Sequence, residues 1–570
     1  MNHICENVHN CEKHEGVEAD AVDILVIGGG VNGLAIAREA QVRGWSSAVV
    51  DAEDFGAGTS GASSRMVHGG IRYLENLEFH LVRESLKERE RLLYTAPHLV
   101  KPFALLIPFY RHNKRHALTL RLGMILYDLL SFDKSTPLHK EFSKKQVEQA
   151  YPGLERKDLS GAALYYDAQA ANTERLCIEQ AIDIFGLGGS VHNHCRVTSL
   201  HSTETGVEIT LRDTLSGRMI TQHAGVVVNA AGPWVDLVLG LSPAVSPRLI
   251  GGTKGSHFTV GPFPGAPETG VHFEAASDGR AILILPLPGG NLLVGATDLF
   301  FDGDPGAAVM SDAEITYLIN EVNQLIPEAH LTTADVLHSV SGVRPLPYTP
   351  KARSAAQVSR SHHLVPHPTA KNLFSITGGK LTTHRALGEM VISQLEKLAR
   401  RPKAQNLIAS PRTLVRRATS TRRLKLPGAR CVDWPEFERL FLSSTSLPVS
   451  TARRLLGLYG VRATKVENLA KSNDEWARPL PGNPDSVSAE VIFAIRDEFA
   501  LTLTDIVARR LLLSWNNDAG LDSITHVAEL ASAEFGWSDE RTEHELNDYR
   551  TWIQLRRPAA YENLFTDPTA

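Results

Sequence analysis

The clearest chemistry in this chain lies in three glycines and one aspartate near its start. Gly28-Gly29-Gly30-Val31-Asn32-Gly33 is followed, 23 residues after Gly28, by Asp51. That spacing is what a dinucleotide needs. Gly28 permits a tight turn, Gly30 lets a pyrophosphate approach the backbone, and Gly33 lets a helix pack closely on a strand. Asp51 is placed to accept from a ribose hydroxyl. A glycine pattern alone is weak evidence, so the elements around it decide. Residues 22–27 read as a short buried parallel strand, 34–43 as a helix closed by Gly44, and 47–51 as a second strand. The helix N-terminus offers N–H groups and a positive dipole end to the phosphates. A site this early in the chain favours FAD over NAD, and no second comparable glycine fingerprint follows.

Composition narrows the alternatives. The 570 residues give a prior of about three to four domains. With 59 basic and 64 acidic residues the formal charge is −5, which argues against a dedicated nucleic-acid binder. Five cysteines cannot build a disulfide scaffold, and their odd number fits a reducing compartment. There is no CxxC pair, GxSxG elbow or HExxH. Cys177, Cys195 and Cys431 read as inert thiols. The best transmembrane candidate, 118–132, is interrupted by Arg121 and Asp128, so no spanning helix is expected, and no secretory leader is expected either. Residues 1–20 carry Cys5, Cys11, His3, His9 and His14 without a standard zinc spacing and read as a frayed tail; no metal site is expected. One asymmetry stands out: residues 397–430 hold eleven Lys or Arg and no Asp or Glu.

Further motifs follow in order. Thr59-Ser60-Gly61-Ala62-Ser63-Ser64-Arg65-Met66-Val67-His68-Gly69-Gly70-Ile71-Arg72-Tyr73-Leu74-Glu75 comes first. Then come Asn229-Ala-Ala-Gly-Pro-Trp234, Lys254-Gly-Ser-His257, Gly295-Ala-Thr-Asp298, Ser341-Gly-Val-Arg344-Pro-Leu346 and Gly378-Gly-Lys380-Leu-Thr-Thr383. Together with the glycine unit and the stretches 489–496 and 505–510, this series resembles the FAD-dependent glycerol-3-phosphate dehydrogenases over roughly residues 20–555. The N-terminal extension and Ala296, where Thr is common, depart from that pattern.

The resemblance implies an α/β fold. A Rossmann-like FAD domain of the glutathione-reductase/D-amino-acid-oxidase type is expected from 21–100, 170–240 and 345–400. An interleaved mixed-sheet substrate domain takes 101–169 and 241–344, 401–430 is a basic linker, and 431–570 is a helical C-terminal domain. Residues 78–95 read as a helix whose dense charge forms a solvated face. The implied reaction is oxidation of sn-glycerol 3-phosphate to dihydroxyacetone phosphate on FAD. His68 is the first choice for the base, with His257 competing; a histidine that only bonds the backbone or the flavin is the plainer reading of each. His68 and Arg72 are four apart, so on a helical turn they share a face. Arg72 and Arg344 form the expected phosphate clamp, with Lys380 completing it and Tyr73 and Lys254 as substrate neighbours.

Cofactor contacts are expected from Gly28, Gly30, Gly33, Asp51, Ser60, Ser64, Gly69, Ala231, Gly232, Trp234, Gly379, Leu381 and Thr382. Gly378 and Gly379 are expected to form an N–H nest at a helix start. Asp298 reads as a structural turn residue. Electrons go to membrane quinone in the dehydrogenase relatives and to oxygen in the oxidase relatives. The basic stretch suggests attachment to an anionic membrane surface on its cytoplasmic side, at about 1 kcal/mol per cation near the lipid. The sequence leaves the oligomer open, with a homodimer as one option. An amino-acid oxidase of the same superfamily and a non-catalytic FAD-binding scaffold are the competing readings.

Overall fold

The computed structural model describes residues 17–74, 78–350, 358, 360–399 and 420–557. Val17–Ile27 is the central strand of the first sheet, and its Ile24, Leu25 and Val26 are fully buried. An unbroken apolar run of this kind suits a strand covered on both faces. Ser47–Val50 pairs with it in parallel on one side and Met219–Asn229 on the other. Leu373–Thr377 extends the parallel set beyond Met219–Asn229, and Ser190–His192 extends it beyond Ser47–Val50. The helix Val31–Val42 covers this sheet with Thr173–Gly186 and His384–Ala399 beside it. A Cβ on Gly388 would lie 2.5 Å from the Ala35 carbonyl oxygen, so two of these helices touch backbone to backbone.

The second sheet is mixed. Its order runs Leu299–Phe300, Thr253–Val260, Leu292–Gly295, Ala281–Pro286, Gly270–Glu274, Lys101–Tyr110, Leu159–Gln169 and Met66–Val67. Val336–Arg344 also pairs with Thr253–Val260. The helix Asp312–Leu325 starts from a Ser311–Glu314 capping box and buries Ile315, Leu318 and Val322 against one face. Phe79–Thr95 and Ala117–Leu130 cover the other face. The sheets interleave in sequence: Met66–Val67 falls within the range assigned above to the FAD domain but pairs with Leu159–Gln169 in the second sheet.

Residues 434–554 are mainly helical and enclose their own apolar clusters. Buried ion pairs join them to the first sheet's layer. Arg175 is bidentate to Glu498 at 2.5 and 2.6 Å, Arg462 reaches Glu179 at 3.0 Å, and Asp54 receives both Arg509, at 2.6 Å, and Arg510. Desolvation makes such pairs poor net stabilisers but costly to break, so they fix how the domain docks. Phe499 adds an apolar plug, edge-on to Phe55 and Phe185. Trp515 lies 4.0 Å over the guanidinium of buried Arg65.

Two charge readings change. Glu88 and Arg89 on Phe79–Thr95 are buried, not solvated; Glu88 accepts from Arg385 Nε and Nη2, each at 2.6 Å, and Arg89 pairs with Asp167. Within the basic stretch, Arg422 pairs with Glu389, Arg430 with Asp183, and Lys425 donates to the Cys431 carbonyl. Residues 400–419 and the tail 1–16 lie outside the described residues. Among the described residues no helix is long and apolar enough to cross a membrane.

Candidate active site

Val17–Ile27, Ser47–Val50, Met219–Asn229 and Leu373–Thr377 all end at one cavity of about 650 Å³, whose far wall is the second sheet. Ligands of open α/β sheets bind at the carboxyl ends of the strands in this way. Gly28 has φ +112, and a Cβ there would stand 2.5 Å from the Ala230 carbonyl oxygen. A Cβ on Gly33 would stand 1.9 Å from the Gly28 carbonyl oxygen, so Gly33 serves packing and does not line the cavity. Gly30 is the N-cap of Val31–Val42, and Ser60 Oγ accepts the Val31 N–H at 3.0 Å. Asp51 accepts from the Gly29 and Glu53 N–H groups at 2.5 and 2.9 Å, while burial pushes its carboxyl up to about 7. Ala231, Gly232 and Trp234 line the same wall.

A flavin dinucleotide fits these residues. Asn32 lines the cavity, and its Oδ1 is buried with no partner among the described residues. A Cβ on Gly379, at φ +105, would reach within 2.6 Å of Asn32 Nδ2. The cradle therefore leaves a buried polar atom to satisfy, and Asn32 packs too closely on residue 379 for a side chain there. Gly379, Lys380, Leu381 and Thr382 line it. The expected nest is corrected in one respect: the Gly378 N–H donates to the Pro345 carbonyl at 2.7 Å, and the helix begins only at His384.

The opposite end of the cavity gathers His68, His257, Arg344, Arg360 and Lys380. Strand alternation aims Gly255 and His257 inward and Lys254 and Ser256 away. Lys254 is accordingly no cavity residue; its Nζ pairs with Glu314 at 2.7 Å. His257 Nε2 lies 2.8 Å from Ser64 Oγ, and its buried Nδ1 has no partner among the described residues. Burial lowers His257 to about 3, with Arg344 and Arg65 adding to the effect.

Arg344 Nη1 is 3.0 Å from Asp298 Oδ1, and its guanidinium lies over Gly255, where a Cβ would be 2.0 Å from Nη2. Asp298 Oδ2 faces Arg360 at 3.7 Å. Asp298 is thus more than a turn residue: it holds two cations side by side. Sequence reasoning misses Arg360, because it sits in a loop without periodicity or motif.

His68 follows the strand Met66–Val67 and precedes the 3₁₀ turn Ile71–Leu74, so it does not share a helical turn with Arg72. Its N–H donates to Thr382 Oγ1 at 3.1 Å. Burial lowers its imidazole to about 4, Asp167 opposes the shift, and Lys380 and Arg360 reinforce it. Gly69, expected at the cofactor, instead turns its N–H into the protein, 2.9 Å from the Tyr127 hydroxyl. The side chains of Arg72 and Tyr73 lie outside the described residues.

A dinucleotide cradle opening onto two histidines and two half-buried arginines defines a class. The family model described as FAD dependent oxidoreductase matches residues 23–394, and the chain is an oxidoreductase that uses FAD. A second model, the C-terminal domain of alpha-glycerophosphate oxidase, matches 419–542. A glycerol-3-phosphate dehydrogenase from a Synechocystis species is 38% identical over 94% of this chain and 97% of its own. The mitochondrial glycerol-3-phosphate dehydrogenase of Bos taurus is 31% identical over 93% and 73%. The structure of glycerol-3-phosphate dehydrogenase from Bacillus halodurans complexed with FAD matches with a TM-score of 0.75 at 25% identity, covering 94% of this chain and 95% of that one. The chain belongs to the FAD-dependent glycerol-3-phosphate dehydrogenase family.

Proposed function

We propose that the protein oxidises sn-glycerol 3-phosphate to dihydroxyacetone phosphate and passes the electrons to a membrane quinone. The observation that carries the substrate is that Arg344, Arg360 and Lys380 all line one cavity, with Asp298 bridging the two arginines. Two guanidinium groups and an ammonium on one cavity wall suit a phosphate dianion, whereas an amino-acid carboxylate needs a single arginine. Bound FAD supplies the acceptor for the hydride leaving C2. Gly28, Gly30, Asp51, Asn32 and Gly379 hold the cofactor. His68 takes the C2 hydroxyl proton, since burial keeps its imidazole neutral at ordinary pH. His257, held by Ser64, is the competing base.

A peripheral seat on the membrane is supported by Ala117–Leu130. Leu118, Leu122, Ile125 and Leu129 form one exposed face of that helix, continued by Phe132, which is 78% exposed, and Leu138. An apolar stripe of this kind, followed by exposed Lys140, Lys144 and Lys145, suits a helix lying in an anionic lipid interface. It adds to the basic stretch, of which Arg422 and Arg430 are paired within the protein and residues 400–419 lie outside the described residues.

Anaerobic addition of glycerol 3-phosphate to the holoenzyme should bleach the yellow flavin band, and D-amino acids should leave it. An unbleached flavin overturns the substrate assignment. Reoxidation faster with quinone than with oxygen supports the acceptor. The protein should sediment with anionic liposomes at low salt, and Leu122→Asp with Ile125→Asp should release it; a parent that stays in the supernatant sinks the membrane reading.

A further inference from the structure

His68 is followed by two glycines, the most permissive backbone available, yet a base must be held still relative to the C–H bond being broken. The restraint comes from outside the cavity. The Gly69 N–H donates to the Tyr127 hydroxyl at 2.9 Å and lies 3.3 Å from Asp167 Oδ1. A Cβ at Gly69 would stand 2.4 Å from the Tyr127 oxygen, so the phenol occupies the space a side chain would need. Tyr127 in turn donates to Asp167 Oδ1 at 2.7 Å, and Arg89 Nη1 meets the same oxygen at 2.7 Å. All three side chains are buried, and the Tyr127 ring is braced edge-on by Tyr165. They come from three elements: Phe79–Thr95, Ala117–Leu130 and Leu159–Gln169.

We propose that Tyr127 and Asp167 are positioning residues for His68, acting through the Gly69 peptide. With Thr382 accepting the His68 N–H on the cavity side, consecutive N–H groups are pinned from opposite directions. A buried carboxylate, phenol and guanidinium are expensive to assemble, and such a network yields a unique geometry in return. Asp167 has a second effect. Of the charged groups facing His68, Lys380 and Arg360 disfavour an imidazolium and Asp167 favours it. When His68 accepts the substrate proton, Asp167 is the carboxylate that offsets the two cations.

The role of His68 as base rests on the function proposed above, so the test carries one readout that needs no substrate. In the Tyr127→Phe holoenzyme, hydrogen exchange in the segment containing Gly69 should accelerate. Its anaerobic flavin reduction by glycerol 3-phosphate should slow about tenfold, with substrate Kd within about twofold, because the arginines are untouched. Asp167→Asn keeps an acceptor but removes the charge; it should move the acid limb of the flavin-reduction rate to lower pH. Unchanged exchange in Tyr127→Phe overturns the positioning role whatever the substrate is. So does a lowered thermal midpoint with parental rate and pH profile, which is the mark of a merely structural network. A parent enzyme that glycerol 3-phosphate fails to reduce overturns the function instead, and exchange then decides the positioning role alone.

Discussion

Asp298 governs the cationic end of the cavity because it is the shared partner of Arg344 and Arg360. Replacing Arg344 with Ala should raise KM for glycerol 3-phosphate at least tenfold. Lys should rescue poorly, since an ammonium cannot reproduce a two-pronged contact or the bond to Asp298. Steady-state kinetics of both variants checks this. Protons offer a second test at the same scale. Burial holds His68, His257 and His384 at about 4, about 3 and about 4, against 6.5 in the open chain. Between pH 6.5 and about 4 the unfolded chain therefore binds protons that the folded chain refuses, and stability falls as the pH drops through that window. The urea midpoint should decrease steadily from pH 6.5 to 4.5. His384→Gln should flatten that slope.

At the level of elements, the glycines are the sharpest test. Gly33→Ala places a Cβ 1.9 Å from a backbone oxygen that has nowhere to move. The purified variant should carry little or no flavin, read as absorbance per mole of protein. The same elements show what the sequence discloses. The dinucleotide unit is legible because its strand, turn, helix and acid follow one another in the sequence. Lys254 is misread because a motif block is read as one unit, while a strand sends neighbours to opposite faces; the parity of Lys254 and His257 already separates them. Tyr127 and Asp167 are illegible for another reason. They lie 58 and 98 residues from Gly69, joined to it only by folding. The stretch 118–132, too interrupted to span a bilayer, shows its exposed stripe only once the helix is seated.

For the whole molecule, the decisive contact is Asp54 with Arg509 and Arg510. Asp54 lies three residues beyond Asp51 in the turn that lines the cavity, so the C-terminal domain braces the cavity wall. Arg510→Met should cost about 3 kcal/mol, since Asp54 stays buried with one arginine and Asn193. It should also weaken flavin retention. Thermal denaturation and flavin release on dilution measure the two effects, and stability lost without flavin lost would confine the contact to docking.

The interleaving of the sheets also sets an order of events during synthesis. The glycine turn leaves the ribosome before the rest of its cavity, for Met219–Asn229, Leu373–Thr377 and the Gly379–Thr382 wall arrive hundreds of residues later, and Arg509 and Arg510 later still. The nascent chain exposes its cofactor fingerprint long before it owns a cofactor pocket. The cavity that the fingerprint serves is complete only after the Gly379–Thr382 wall has been made.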